Sequence, residues 1–279
     1  MKVNVLGPVS VEIDGVAVPI GSMRVRAVLA VLALNAGRTV SSAHLVDEIW
    51  GAGDLRNAKN ALQAAVARLR RALASSGTRS ARPVLQTEPS GYRLAVDPNQ
   101  VDALRFRRVA STSRDRFDDD PAGALGHFDE ALRLWRGPAF EGVSGGDFLQ
   151  SERRRLDETR AELYELRAHA RIVTGHTLGL AADLRRLVGI YPHRERLHEL
   201  LMITLHDGGQ QTEALTVYRD VRRHLTREFG IEPSERLRNL HDAILAQRDL
   251  TPRGLVASGG QPNVSEVSAR RQHYGSAAS

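Results

Sequence analysis

Residues 57 to 73, NAKNALQAAVARLRRAL, place apolar side chains at the three- and four-residue spacing of an amphipathic helix and little bulk on the other side. Wound at about 100° per residue, Ala58, Leu62, Ala65, Leu69 and Leu73 fall on one stripe that has to meet a core. The opposite side carries Asn60, Ala64, Ala67 and Arg71, with Gln63 and Arg68 on its flanks. Taken alone, this is a solvated surface helix whose alanines serve helix propensity. The same alanines would let a polar surface approach the backbone closely, so the neighbouring sequence has to decide.

Charge along the chain is the first discriminator. The 279 residues carry a formal net charge of +6, and most of the excess lies at the front. Residues 1–98 hold 12 Lys and Arg against 7 Asp and Glu, whereas residues 99–249 hold 24 against 25. Within 54–93 the count is 8 basic to 2 acidic. A local basic field of this kind favours a polyanion. The chain has no cysteine, which excludes disulfides, zinc–thiolate sites and thiol nucleophiles. The longest apolar run, AVLAVLAL at 27–34, is too short to span a bilayer, and no apolar signal core follows the amino terminus. The expectation is a cytoplasmic, nucleoid-associated protein with no membrane partner.

The elements around the basic helix define its setting. VNVLGPVSVEIDGVAVPIG at 3–21 alternates apolar and polar residues around turn signals at Gly7-Pro8 and Asp14-Gly15, as short antiparallel strands do. MRVRAVLAVLALNAG at 23–37 is a mostly apolar helix, and SSAHLVDEIWG at 41–51 is a second, capped by Ser41 or Ser42. The loop GAGDLR leads into the basic helix, a turn region ASSGTRSARP follows it, and VLQTEPSGYRLAV at 84–96 reads as a hairpin. Sheet, three helices and a closing hairpin describe a winged helix-turn-helix, whose third helix enters the major groove and whose wing touches an adjacent phosphate or minor groove.

In that frame Asn60, Gln63 and Ala64 lie nearer base edges, while Arg68, Arg70 and Arg71 mainly engage phosphates, with Arg56 at the helix start. Ser41 and Ser42 stand at a helix amino terminus, where backbone N–H groups suit a phosphate, and each is equally a plain N-cap. Tyr92 and Arg93 are the wing candidates.

Residues 99–249 are nearly all helical in pattern. PAGALGHFDEALRLW at 121–135 and QTEALTVYRDVRRHL at 211–225 share a template, with Ala124, Leu125, Phe128 and Ala131 matching Ala214, Leu215, Tyr218 and Val221. Small residues and an aromatic at these offsets suit stacked helix pairs. RGPAFEGVSGGD at 136–147 interrupts the pattern as an irregular insertion, and the charged run that follows is one long helix with an exposed face. Catalytic motifs are missing. HELLM at 198–202 lacks the second histidine of a zinc-protease helix, and His193 and His206 add no metal constellation. Asp118 to Asp120 before Pro121 reads as a helix cap, and there is neither a phosphate-binding GxxxxGK loop nor a GxSxG elbow. No catalytic residue, metal or cofactor is expected.

The series VRAVLAVLALNAGRTVSSAHLVDEIWG, NAKNALQAAVARLRRAL and SGYRLAV resembles the OmpR-type winged helix of the Streptomyces antibiotic regulatory protein family. LRLWRGPAF and YPHRERLHELLMITLHDGGQQTEALTVYRDVRRHLTREFGIEPSERLRNL resemble the bacterial transcriptional activation domain that follows it in that family. The expected fold class is mainly α with a small β component: a winged helix over 1–98, a TPR-like all-helical domain over 99–249, and a disordered tail over 250–279, where periodicity is lost. The resemblance implies a transcriptional activator of a secondary-metabolite cluster that binds double-stranded promoter DNA as a homodimer on tandem direct repeats. It also implies that Gly51, Ala52, Gly53, Asp54 and Leu55 face the RNA polymerase holoenzyme, through its sigma factor and the carboxy-terminal domain of its alpha subunit. Because all basic groove-reading elements precede residue 98, that fragment alone is expected to bind DNA. The alternative is a helical-repeat adaptor whose winged helix contacts protein.

Overall fold

The computed structural model describes residues 1–51, 55–74 and 83–248, without the side chains of Leu55 and Arg56. Residues 249–279, including the tail expected to be disordered, lie outside the described residues. Contacts divide the chain into two units, Met1–Ala170 and Arg171–Ser279. The first unit opens with an antiparallel sheet of β1 (Lys2–Asn4), β2 (Ser10–Ile13) and β3 (Val16–Val18), in that order. Helices α1 (Met23–Leu34) and α2 (Ser42–Trp50) follow, with β4 (Thr39–Ser41) between them, and then α3 (Leu55–Ala74). The hairpin β5 (Leu85–Glu88) and β6 (Gly91–Leu94) joins β4 in a second sheet of order β4-β6-β5. Strand β4 carries too weak a sequence signal to be read, because its polar–apolar–polar alternation runs over only three residues.

Helix α1 is buried on nearly every side, from Val25 through Leu34, and its apolar run is the centre of the unit's core. That core does not stop at residue 98. It continues through Phe106 and Ala110 of α4 (Asp102–Phe117), Phe128 of α5 (Pro121–Arg133), Phe140, and Leu149 and Leu156 of α6 (Asp147–Val173). Asp120 caps α5 through a bond from the Gly123 N–H at 2.8 Å, as its place before Pro121 implied.

Two buried carboxylates fasten the halves of this unit. Asp102, in the first turn of α4, accepts from the backbone N–H of Val5 at 2.8 and 2.9 Å, of Leu6 at 3.0 Å and of Ala103 at 2.7 Å. Burial raises its pKa above the ordinary aspartate value, against the pull of those donors and of the Arg136 guanidinium 3.6 Å away. The stretch after α5, expected as a mere insertion, returns to the same strand end. Arg136 N–H donates to the Leu6 carbonyl at 2.8 Å, Phe140 N–H to Val5 at 2.9 Å and Glu141 N–H to Gly7 at 3.1 Å. Gly7 is required there: its φ is +142°, and a Cβ would lie 3.0 Å from that of Arg136. The second carboxylate is Glu48 on α2, which accepts from the N–H groups of Phe148 at 3.1 Å and Leu149 at 2.9 Å and so caps α6 across 100 residues of sequence.

The second unit contains α7 (Leu180–Ile190), α8 (Glu195–Asp207), α9 (Gln211–Phe229) and α10 (Glu235–Leu245). Helix α8 is buried continuously from Leu197 to Leu205 and packs on α7, α9 and α10. The HELLM segment is part of this packing. His198 Nε2 lies 2.9 Å from the Pro192 carbonyl, and Glu199 is held by Arg196 at 2.7 Å and Arg236 at 2.8 Å. Three of the four template pairs are buried alike, Ala124, Phe128 and Ala131 of α5 and Ala214, Tyr218 and Val221 of α9, while Leu125 and Leu215 are half-buried. No helix among the described residues is long and apolar enough to cross a membrane.

Asp102→Asn puts an amide donor against backbone donors and leaves a buried N–H unsatisfied. The expected loss of stability is about 1–3 kcal/mol, read as a lower midpoint in denaturant unfolding of the full chain.

Candidate DNA interface

Helix α3 sorts its residues as its sequence demands. Ala58, Leu62, Ala65, Leu69 and Leu73 are buried, together with Val66, and pack toward α1 and α2. Asn60, Gln63, Ala64, Ala67, Arg68 and Arg71 are exposed. The outer face therefore offers amides, two guanidinium groups and a floor of alanine methyls. Lys59 is exposed one turn before Gln63; it is absent from the sequence candidates, although its i,i+4 spacing to Gln63 is a signal for it.

Arg70 behaves differently from its neighbours. Its Nε donates to the Leu85 carbonyl at 3.1 Å, its Nη2 donates to Thr87 Oγ1 at 2.6 Å, and the guanidinium carbon sits 6.0 Å from the centre of the Tyr92 ring. The helix turns Arg70, expected to engage phosphate, toward the hairpin, while Arg68 and Arg71 are exposed. Arg93 is also engaged, with Nη2 donating to Gln86 Oε1 at 2.6 Å and Nε 3.0 Å from Glu88 Oε1. Tyr92 is half-buried between Arg70 and its cross-strand neighbours Thr87 and Val40.

The hairpin is seated on α2 as well. Ser41 caps α2 through its hydroxyl, which accepts from the His44 N–H at 3.1 Å, and the Ser42 N–H donates to the Ser90 carbonyl at 3.0 Å. The His44 and Ser42 N–H groups are thus bonded within the protein. Gly91 makes this seat possible: a Cβ there would lie 2.0 Å from the Val40 carbonyl oxygen. Beyond α2, Gly51 ends the helix with φ +69° and its N–H on the Asp47 carbonyl at 2.9 Å. The expected polymerase-facing residues Ala52, Gly53 and Asp54 lie outside the described residues, as do the side chains of Leu55 and Arg56.

A basic, small-residue helix face beside a three-stranded wing, followed by packed helices, defines a winged-helix regulator with a helical effector region. Comparison with known proteins agrees. Residues 21–94 match the family described as transcriptional regulatory protein, C terminal, and residues 101–245, just over half of the chain, match the bacterial transcriptional activator domain. The transcriptional regulator RedD of Streptomyces coelicolor is 39% identical over 88% of this chain and 71% of its own length. The regulatory protein DnrI of Streptomyces peucetius is 36% identical over 88% of this chain and 92% of its own. A solved structure of Mycobacterium tuberculosis EmbR in complex with a low-affinity phosphopeptide superposes with a TM-score of 0.82 at 31% identity, covering 91% of this chain and 67% of that one. The chain belongs to the Streptomyces antibiotic regulatory protein family of DNA-binding transcriptional activators; it is a regulator and not an enzyme.

Gly91→Ala forces the wing off β4 and the start of α2. Overpacking of this kind costs about 1–3 kcal/mol, and thermal unfolding should show a correspondingly lower Tm, with promoter affinity reduced in parallel because the wing is displaced.

Proposed function

We propose that the protein activates a secondary-metabolite gene cluster by binding, as two head-to-tail copies, tandem direct repeats in promoter DNA and by presenting residues 51–55 to the RNA polymerase holoenzyme. The observation that carries the reading is the outer face of α3, where Asn60, Gln63, Ala64, Ala67, Arg68 and Arg71 are exposed together on a helix whose other side is locked into the core. Amides can pair bidentately with adenine, alanine can lie against a thymine methyl, and the arginines can reach guanine or phosphate. Residues nearer the amino end of the helix read bases and Arg68 and Arg71 neutralise phosphates, since recognition helices insert by their first turns. Membership of the Streptomyces antibiotic regulatory protein family supports regulation of antibiotic biosynthesis. Recruitment acts through the sigma factor and the carboxy-terminal domain of the alpha subunit, and the near-neutral helical region holds the two copies together.

Two measurements test this reading. Arg71→Ala should weaken binding to all sequences and lower the slope of log affinity against log salt by about 1, whereas Gln63→Ala should relax preference at about one base pair at a cost of roughly 1–3 kcal/mol. Footprinting on altered promoters tests the tandem arrangement. With repeats spaced by about 10–11 bp, inserting about five base pairs should abolish cooperativity and inserting about ten should restore part of it. Undiminished cooperativity after the half-turn insertion, or preference for an inverted repeat, contradicts it.

A further inference from the structure

Arg70 lies between the two DNA-facing parts of the winged helix. Leu85 and Thr87 are alternate residues of β5, and Tyr92 pairs with Thr87 across the hairpin, so one guanidinium spans three residues of the wing. Strand β5 is the outer edge of the β4-β6-β5 sheet, and the Arg70 Nε–H supplies a donor to its Leu85 carbonyl. The other edge of the hairpin is held by β4 and by the Ser42–Ser90 bond. The wing is thus fixed to α2 on one side and to α3 on the other.

We infer that Arg70 is a positioning residue that locks the wing to the recognition helix, and so sets where the wing meets the duplex once α3 is in the groove. The inference rests on the DNA-reading role proposed for α3. A planar guanidinium with several fixed donors can bridge a carbonyl, a hydroxyl and an aromatic face together, which a lysine ammonium on a flexible stem cannot do. Arg68 and Arg71 stay exposed to meet phosphate, so within the run Arg68, Leu69, Arg70, Arg71 the three arginines divide into two that face outward and one that fixes geometry.

The test uses the full chain with Arg70→Ala, Arg70→Lys, Thr87→Val and the double variant Arg70→Ala/Thr87→Val, and it has two readouts. In the free protein, amide exchange over Leu85–Leu94 should accelerate in all four while α1 stays protected. On a promoter duplex, Arg70→Ala should weaken binding by about tenfold, roughly the worth of a lost charge-assisted hydrogen bond. Thr87→Val, which leaves α3 untouched, should weaken it several-fold, and the double variant should be no weaker than Arg70→Ala, because both changes remove one interaction. Arg70→Lys should fail to rescue. The inference is overturned if wing exchange is unchanged, or if Thr87→Val binds like the parent while Arg70→Ala does not, which would make Arg70 a direct phosphate ligand. If Gln63→Ala and Arg71→Ala also leave affinity unchanged, the DNA reading of α3 fails by itself, and the exchange data still decide whether the clamp exists.

Discussion

The carboxylate of Asp102 holds the first unit together. Three backbone N–H groups converge on it, two of them from the chain just past β1 and nearly a hundred residues away in sequence. Each of those donors would otherwise be buried without a partner, at a cost of about 1–3 kcal/mol. Placing the negative charge in the first turn of α4 also favours that helix, through the partial positive charge of its amino terminus. Burial works against the ionised form and raises the pKa of the group, so the bond network offsets a real desolvation cost.

Asp102 and the 136–141 segment fix the opening sheet against α4, Glu48 fixes α2 to the start of α6, and the front of α2 holds the wing through Ser42 and Ser90. Arg70 then joins the wing to α3. A helix that reads bases has to be held to a fraction of an ångström by its supports, and here the supports reach well past the expected end of the winged helix at residue 98. The helices that follow are part of the platform on which α3 rests.

Much of this was legible in the sequence, for local reasons. The buried stripe of α3, the cap at Ser41 or Ser42, of which the structure uses Ser41, and the hairpin around Pro89 to Gly91 each depend on residues within a few positions of one another, where periodicity and turn chemistry act. The outer face of α3 was equally readable, because exposure follows from the same winding. What escaped were contacts between distant segments. Asp102 looks like an ordinary helix-start aspartate, and Glu48 looks like one more charge on an amphipathic helix. Arg70 sits in an arginine run, and only the position of β5 reveals that it turns inward. The 136–147 segment has the Gly and Pro content of a loop and so reads as an interruption, although its backbone bonds return to the first strand.

The exposed face of α3 belongs to a folded body extending through α6. Thermal unfolding and promoter affinity of two fragments, residues 1–170 and residues 1–98, test it most directly. Residues 1–170 should unfold in one cooperative transition and bind a single half-site, and residues 1–98, deprived of Asp102 and the cap that Glu48 places on α6, should melt at a much lower temperature and bind weakly. A 1–98 fragment with the stability and half-site affinity of 1–170 would contradict it.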